Sequence, residues 1–319
     1  IDSDSEYFNI INIARIRGRT IKEEFDTDLY SDDLEYNFLE IIEKELNNYK
    51  KSFGLVDFTD MIERFIKSNL CPTFDVIFID EAQDLSPIQW KMYDILKKNS
   101  KIVILAGDDD QAIYGWAGAD VKRFQDEPAK EKVLPKSYRV PIKIQQVADS
   151  IISQIETRIP KEWKPRNYEG HCEDVYSIDE VDLTKGNWLI LARTNYRLIK
   201  LKAPLIERGI EYTDTWYETF NADPEQTLYI RQMLSNKEKL SQDARVKLST
   251  IHSAKGGEAD NVLLILDNTD KIREAIEKSP EKADEEHRVW YVGVTRTKQN
   301  LYIMAAKEDR LGYEIQSIH

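Results

Sequence analysis

The chain has 319 residues, of which 41% are hydrophobic. At roughly 150 residues per domain, this length predicts two domains, and the hydrophobic fraction is enough to fill a core in each. A disordered chain and a single small module are therefore excluded. The longest apolar runs, Val76 to Ile79 and Val262 to Leu266, have the length of strands. They are far shorter than the ~18 apolar residues of a membrane span.

The net charge is −13, and it is unevenly distributed: residues 1–60 hold 15 acidic and 7 basic side chains. An acidic chain does not simply coat nucleic acid, although a local basic groove remains possible in the rest of the molecule. The two cysteines, Cys71 and Cys172, have no metal-ligand spacing, which favours a reducing, cytoplasmic compartment. The chain begins with Ile1 and has no secretory signal pattern, so we expect that an upstream segment was removed or omitted.

Helices and then strands are predicted along the first half of the chain. Apolar residues recur with a 3.6-residue period in the acidic N-terminal region, at Leu34, Phe38, Ile41, Ile42, Leu46 and Tyr49. A short helix around residues 61–66 follows. Residues 74–79 and 101–106 are near-continuous apolar runs, typical of strands buried on both faces, and Ser86-Pro87 begins a helix between them. Strand, helix, strand predicts a parallel α/β unit.

A second α/β unit is predicted further along. A helix begins at Pro141, the polar stretch 160–170 is typical of a linker, and strands are predicted at 188–192, 262–266 and 301–304. A helix over 196–208 ends at Gly209. The architecture is two parallel α/β units joined near residue 150.

Carboxylates directly follow the first predicted strand. In parallel sheets, ligands bind outside the carboxyl ends of the strands, which is where Asp80 and Glu81 lie. There one carboxylate, Asp80, can hold Mg²⁺ through water, while Glu81 can accept a proton from the water that attacks a γ-phosphate. A bare Asp-Glu pair is more often an exposed turn. The continuation, Val76-Ile-Phe-Ile-Asp-Glu-Ala-Gln-Asp84, resembles the Walker B motif of superfamily 1 helicases of the UvrD/Rep type.

The resemblance continues at the end of the next strand. Gly107-Asp-Asp-Asp-Gln-Ala-Ile-Tyr-Gly-Trp116 is similar to motif III of that family. The resemblance implies that Gln111 senses the γ-phosphate and that Tyr114 and Trp116 stack on single-stranded bases. Taken as an isolated pair, the two aromatics would be interpreted as core residues. Base stacking on an aromatic ring is worth ~1–3 kcal/mol per base and needs no sequence preference.

Three further motifs follow in the family's order. Leu134-Pro-Lys-Ser-Tyr-Arg139 resembles motif IV, which implies that Tyr138 stacks on adenine and that Arg139 reaches the γ-phosphate. Residues 248–258 resemble motif V, which implies that Thr250 and His252 contact the DNA backbone and that Glu258 contacts the nucleotide. Residues 289–296 resemble motif VI, which implies that Arg296 is an arginine finger. Singly, His252 would be a core or surface histidine and either arginine a surface ion-pair partner.

The resemblance implies an α/β fold of two RecA-like parallel-sheet domains, with ATP and Mg²⁺ as cofactors and single-stranded DNA or single/double-strand junctions as partners. Residues 1–55 would be a helical insertion (1B-like), 56–150 the C-terminal part of an incomplete first RecA-like domain, and 151–319 the second. The large insertion of the second domain in relatives (2B) would be absent or reduced to residues 213–245, as in a compact phage or divergent helicase. Two departures are Ala117, where the family usually has arginine, and Gly257 with Ala259, where it has Leu and Phe.

No Gly-Lys dipeptide occurs in the sequence, so there is no GxxxxGK[ST] loop to hold the phosphates. We expect the chain to be the C-terminal majority of a helicase whose P-loop segment lies upstream, and to be inactive as an ATPase alone. Two hypotheses remain open: an ATP-dependent motor that moves 3′ to 5′ on single-stranded DNA, and a non-catalytic DNA-binding or scaffold protein derived from a helicase.

Overall fold

In the computed structural model, residues 5–27, 30, 33–68, 70–214 and 244–315 are described. The chain divides into two compact units after Ala129, and each is described by itself. This division precedes the boundary near residue 150 that the sequence suggested. The segment expected to be a linker lies inside the second unit, where the Lys164 and Arg166 amides donate to the Pro135 and Val140 carbonyls at 2.8 and 3.0 Å. Of the region 213–245, residues 215–243 lie outside the described residues.

The first unit begins with four helices and continues as a strand, helix, strand motif. The helices are α1 (Glu6–Arg17), α2 (Ile21–Phe25), α3 (Tyr36–Phe53), α4 (Phe58–Ser68), α5 (Pro87–Lys98) and α6 (Val121–Gln125), and the strands are β1 (Phe74–Ile79) and β2 (Ser100–Leu105). Glycines in the left-handed conformation, Gly18 and Gly54, end α1 and α3. The predicted acidic helical region is confirmed as helical.

The core of these N-terminal helices is formed by Ile10, Ile11, Ala14, Ile21, Leu39 and Ile42. The predicted apolar face of α3 was partly wrong. Leu39 and Ile42 are buried, but Phe38, Ile41 and Tyr49 are exposed. The buried face of α3 is therefore narrower than the face that its apolar residues form. The charged side chain of Arg15 ties α1 to α4 through Asp57, Asp60 and Glu63, at 2.8, 2.5 and 3.2 Å.

Strands β1 and β2 pair in parallel, as predicted, with Val76 opposite Ile102 and Phe78 opposite Ile104. The prediction that both faces are buried was wrong. These four side chains share one face of the sheet and are exposed, and Phe78 is 74% exposed. A parallel sheet in an α/β protein normally has both faces covered. Among the described residues, this sheet has only two strands, so an apolar face and the edges remain uncovered.

The second unit is built on a six-stranded, wholly parallel sheet. Its strands are β3 (His171–Val175), β4 (Trp188–Ala192), β5 (Tyr212–Asp214), β6 (Val246–Thr250), β7 (Ala259–Ile265) and β8 (Thr297–Met304), in the spatial order β3-β8-β7-β4-β6-β5. Its helices are α7 (Ile142–Ile152), α8 (Asn195–Glu207), α9 (Asp270–Lys278) and α10 (Pro280–Val294). Every residue of β4 is buried, as the apolar run predicted. The α/β class with parallel sheets is therefore confirmed.

Helix α7 packs against α10 within this unit. The loop after α7 is fixed by the buried Asp284 carboxylate, which accepts hydrogen bonds from the Glu156 and Thr157 amides at 2.8 and 2.9 Å. These contacts explain why residues 142–152 belong to the second unit. No helix among the described residues is long and apolar enough to cross a membrane.

Candidate nucleotide and DNA site

Asp80 and Glu81 lie directly beyond the carboxyl end of β1, as predicted. The Glu81 backbone is left-handed, with a φ of 51°, and Glu81 is the single non-glycine residue with positive φ in the part of the chain that the structure describes. Such a conformation costs on the order of 1–3 kcal/mol and persists where surrounding contacts hold it. The Asp80 carboxylate contributes, because it accepts a hydrogen bond from the Glu81 amide at 2.9 Å.

A residue that sequence reasoning missed, Gln83, connects the two loops of the first unit. It is fully buried. Its amide nitrogen donates to the Glu81 carboxylate, and its amide oxygen accepts from the Asp108 backbone N–H at 2.9 Å. A Cβ on Gly107 would lie 2.7 Å from this oxygen and 2.8 Å from the Phe124 ring, so a larger residue at position 107 would displace the Gln83 or Phe124 side chain. Gln83 is part of the motif that follows β1, but nothing in the sequence of that motif indicated that its partner would be Asp108, 25 residues further along the chain.

The loop after β2 carries three consecutive carboxylates. Oxygens of Asp108, Asp109 and Asp110 lie within 4.8 Å of one another, and Asp109 and Asp110 are buried. The Gln111 side chain donates to Asp108 at 2.7 Å, while Gln125 donates to Asp109 at 3.0 Å. The predicted γ-phosphate sensor therefore lies at the same edge of the sheet as Asp80 and Glu81.

The donor set at this edge suits Mg²⁺, a hard cation that prefers carboxylate oxygens and water. Asp80 is exposed and follows β1, whereas Asp109 and Asp110 are buried and the Asp109 carboxylate already accepts a hydrogen bond from Gln125. Asp80 is thus the carboxylate best placed to hold a hydrated Mg²⁺ ion.

Tyr114 and Trp116 follow in the same loop, with ring centroids 6.5 Å apart. Trp116 is 62% exposed, which is unusual for a core aromatic. Tyr114 is half-buried; burial, together with the nearby carboxylates of Asp84 and Glu81, raises the pKa of its hydroxyl. The interpretation of Trp116 as a core residue is therefore not supported.

In the second unit, the structure brings the predicted Arg139 and Glu258 together. Arg139 Nε lies 3.7 Å from Glu258 Oε2, and Lys298 Nζ lies 3.2 Å from Glu258 Oε1. The preceding Tyr138 is 83% exposed, and Lys136 Nζ lies 5.1 Å from the centroid of its ring. The exposed Tyr138 ring can stack on a base, and the Lys136 ammonium beside it can neutralise phosphate charge.

Arg296 is buried, with 1% exposure. Its guanidinium donates to the Val292 carbonyl at 3.0 Å and to the Gly257 carbonyl at 3.4 Å, which links it to the loop that carries Glu258. The guanidinium also donates to the Thr295 hydroxyl at 3.3 Å. The finger role of Arg296 stays a prediction.

Thr250 ends β6, and His252 lies two residues beyond it. The Thr250 hydroxyl accepts a hydrogen bond from the Ser253 amide at 3.2 Å, which fixes the turn after the strand. Strand β6 pairs with β4, with Thr250 opposite Ala192. The two predicted DNA-backbone residues are therefore at the carboxyl edge of this sheet and half-buried.

Comparison with known proteins agrees with this arrangement. Residues 7–132 match the UvrD/REP helicase N-terminal domain, and residues 218–308 match the UvrD-like helicase C-terminal domain. Together the two matches cover about two thirds of the chain. The chain belongs to the UvrD/Rep family of helicases.

Among its relatives, DNA helicase II of Haemophilus influenzae is 34% identical over 146 residues, which are 41% of this chain and 20% of that protein. The ATP-dependent DNA helicase Rep of Buchnera aphidicola is 27% identical over 224 residues, 60% of this chain and 33% of that protein. The matched region thus spans a fifth to a third of these relatives. The solved C-terminal domain of a possible DNA helicase from Lactobacillus plantarum is similar with 16% identity, over 53% of this chain and 88% of that one, at a TM-score of 0.31.

Proposed function

We propose that the protein is part of an ATP-dependent motor that translocates 3′ to 5′ on single-stranded DNA in the cytoplasm. One observation carries the proposal. The motif residues of the first unit and Thr250 and His252 of the second follow the carboxyl ends of parallel strands, where α/β proteins bind their ligands. Family membership supports the same assignment.

For ATP hydrolysis, we assign Asp80 to the Mg²⁺ ion, which when bound neutralises phosphate charge. Glu81 holds the attacking water and accepts its proton. Its position is set by the strained backbone and by Gln83. Gln111 senses the γ-phosphate.

The remaining nucleotide contacts are assigned to the second unit. Tyr138 stacks on adenine, Glu258 contacts the nucleotide, and Arg139 and Arg296 stabilise the charge that develops on the transferred phosphoryl group. Arginines in this role contribute ~10³–10⁵ in rate. Because Glu258 pairs with Arg139 in this structure, we expect the nucleotide to take its place as the partner of that arginine.

We call the surface that binds single-stranded DNA the DNA track. In it we assign Tyr114 and Trp116 to base stacking, and Thr250 and His252 to contacts with the DNA backbone. The sequence contains no Gly-Lys dipeptide, so we propose that these 319 residues alone do not hydrolyse ATP. The β- and γ-phosphates would need backbone N–H groups and a lysine from a P-loop segment.

Binding of the 319-residue chain to fluorescent single-stranded DNA tests the track without nucleotide. We expect Trp116→Ala to weaken binding by ~1–3 kcal/mol, to similar extents for oligo(dT) and oligo(dA), because every base offers a π-face. Phe58→Ala is the matched control, because it removes an exposed ring of the same unit that is 85% exposed and lies in none of the five motifs. Unchanged affinity of Trp116→Ala with a lowered melting temperature would overturn the stacking assignment.

A second candidate, a non-catalytic DNA-binding or scaffold protein, is favoured by the missing phosphate loop alone. The two candidates are separated by joining the chain to a P-loop segment from a relative. DNA-stimulated ATPase activity in the fusion supports the motor, whereas DNA binding without any turnover supports the scaffold.

A further inference from the structure

Tyr196 is an exposed aromatic residue outside the motifs discussed above. It is the second residue of α8, four residues beyond the end of β4, and it is 61% exposed. Because β4 and β6 are adjacent and parallel, their carboxyl ends are about 5 Å apart. The Ile251 amide donates to the Ala192 carbonyl at 3.1 Å, which joins the loop of Thr250 and His252 directly to the strand that precedes Tyr196.

Basic side chains surround the Tyr196 ring. Lys200 Nζ lies 4.2 Å from the ring centroid and the Arg197 guanidinium 5.8 Å. The hydrogen bond from Lys200 lowers the pKa of the Tyr196 hydroxyl, as do the charges of Lys200, Arg197 and, after β8, Lys307. Arg197 forms an ion pair with Asp267 at 3.0 Å, so Lys200 and Lys307 supply the positive potential. In a chain of net charge −13, a local cluster of cations around an exposed ring complements a polyanion.

We propose that Tyr196 and Lys200 form a further contact site for single-stranded DNA on the second unit, in which the ring stacks on a base and Lys200 contacts the adjoining phosphate. The inference rests on the proposed DNA track and extends it from the Thr250 and His252 loop onto α8. An exposed aromatic with a cation beside it is the arrangement that single-strand binding surfaces use without sequence preference. The alternative is a solvent-exposed cation–π pair on a helix surface, which has no effect on DNA.

The same sheet offers matched controls. Tyr176 directly follows edge strand β3, which is three strands from β4, and it is 86% exposed. The Lys185 side chain is 86% exposed. Lys185 precedes the amino end of β4, whereas Lys200 follows its carboxyl end. Neither residue should contact DNA bound beside Thr250.

The experiment measures oligo(dT) affinity of the full 319-residue chain by fluorescence anisotropy at several salt concentrations. We expect Tyr196→Ala to raise Kd about 5- to 150-fold, Tyr196→Phe to leave it within about twofold, and Tyr176→Ala to have no effect. Lys200→Gln should reduce the slope of log K against log salt by about 0.7, whereas Lys185→Gln should not. Photocrosslinking of the unaltered chain to 5-iodouracil DNA should label the peptide that contains Tyr196, which tests the contact even where a variant does not fold.

The outcomes separate this inference from the proposed function. If Trp116→Ala weakens binding but Tyr196→Ala does not, and the crosslink maps elsewhere, the site on α8 is overturned while the track stands. If the unaltered chain does not bind single-stranded DNA, both the track and this site are overturned. Equal losses for Tyr196→Ala and Tyr176→Ala would show a nonspecific aromatic effect and would also overturn the site.

Discussion

The buried amide of Gln83 offers a sharp test of how the first unit organises its phosphate-facing loops. We expect Gln83→Leu, which has a similar volume, to remove both hydrogen bonds while keeping the side chain's packing. The Asp108 N–H loses its 2.9 Å acceptor, and the Glu81 carboxylate loses a donor. Leaving one buried polar group unsatisfied costs about 1–3 kcal/mol. The loop after β2 should therefore open more often.

Hydrogen–deuterium exchange of the Asp108 amide measures this opening directly. A free-energy loss of about 1–3 kcal/mol corresponds to exchange about 5- to 150-fold faster, provided that the amide exchanges through local opening. Amides of β4, which lie in the other unit, serve as the internal reference. Gln146→Leu is the control for the substitution itself, because Gln146 is exposed on α7 and should change stability by no more than about 0.5 kcal/mol.

An unchanged exchange rate at Asp108 in Gln83→Leu would refute the reasoning, because it would mean that Gln83 does not hold the loop. Faster exchange throughout both units would also contradict it, since the two hydrogen bonds of Gln83 lie within the first unit alone.

Two more predictions concern the carboxylates of the first unit. In the fusion that carries a P-loop segment, Glu81→Gln should abolish ATP turnover and leave ATP and Mg²⁺ binding nearly intact, because the amide cannot accept a proton from water; turnover within a few-fold of the parent would contradict this. Asp57 should make stability pH-dependent. Burial opposes its ionisation, but the hydrogen bonds from Lys50, the Asp60 backbone and Arg15 outweigh burial and lower the pKa of Asp57. Its stabilisation is then present above the unfolded pKa of about 3.9 and is lost as the pH falls below that value. The urea midpoint of Asp57→Asn should accordingly fall less between pH 5 and 2 than that of the parent. Asp75→Asn, at an ion pair whose side chains are 83% and 79% exposed, is the control, and equal pH profiles for Asp57→Asn and the parent would refute the assignment.

Among the described residues, the local pattern of the sequence predicted five of the eight strands, β1, β2, β4, β7 and β8, and most of the helices, but it did not predict β3, β5 or β6. Short apolar runs predicted β4, β7 and β8, and the segment that ends at Gly209 was predicted as the helix α8. These signals are local, because backbone hydrogen bonding and side-chain alternation repeat over a few residues. Placing Asp80, Glu81 and Gln111 at strand ends followed from the same patterns, since strand ends in a parallel sheet meet at one edge.

The tertiary structure decided which side chains are buried and which residues contact one another. The apolar runs of β1 and β2 predicted burial on both faces, yet Val76 and Phe78 are exposed, because a run of apolar residues says nothing about what covers a sheet. Gln83 and Asp108 are 25 residues apart, and Arg139 and Glu258 are 119 apart. No periodic pattern encodes such pairs, which form only when the strands are packed. The sequence thus determined most of the elements and the chemistry available at their ends, and the packing determined which of those groups meet and which stay exposed.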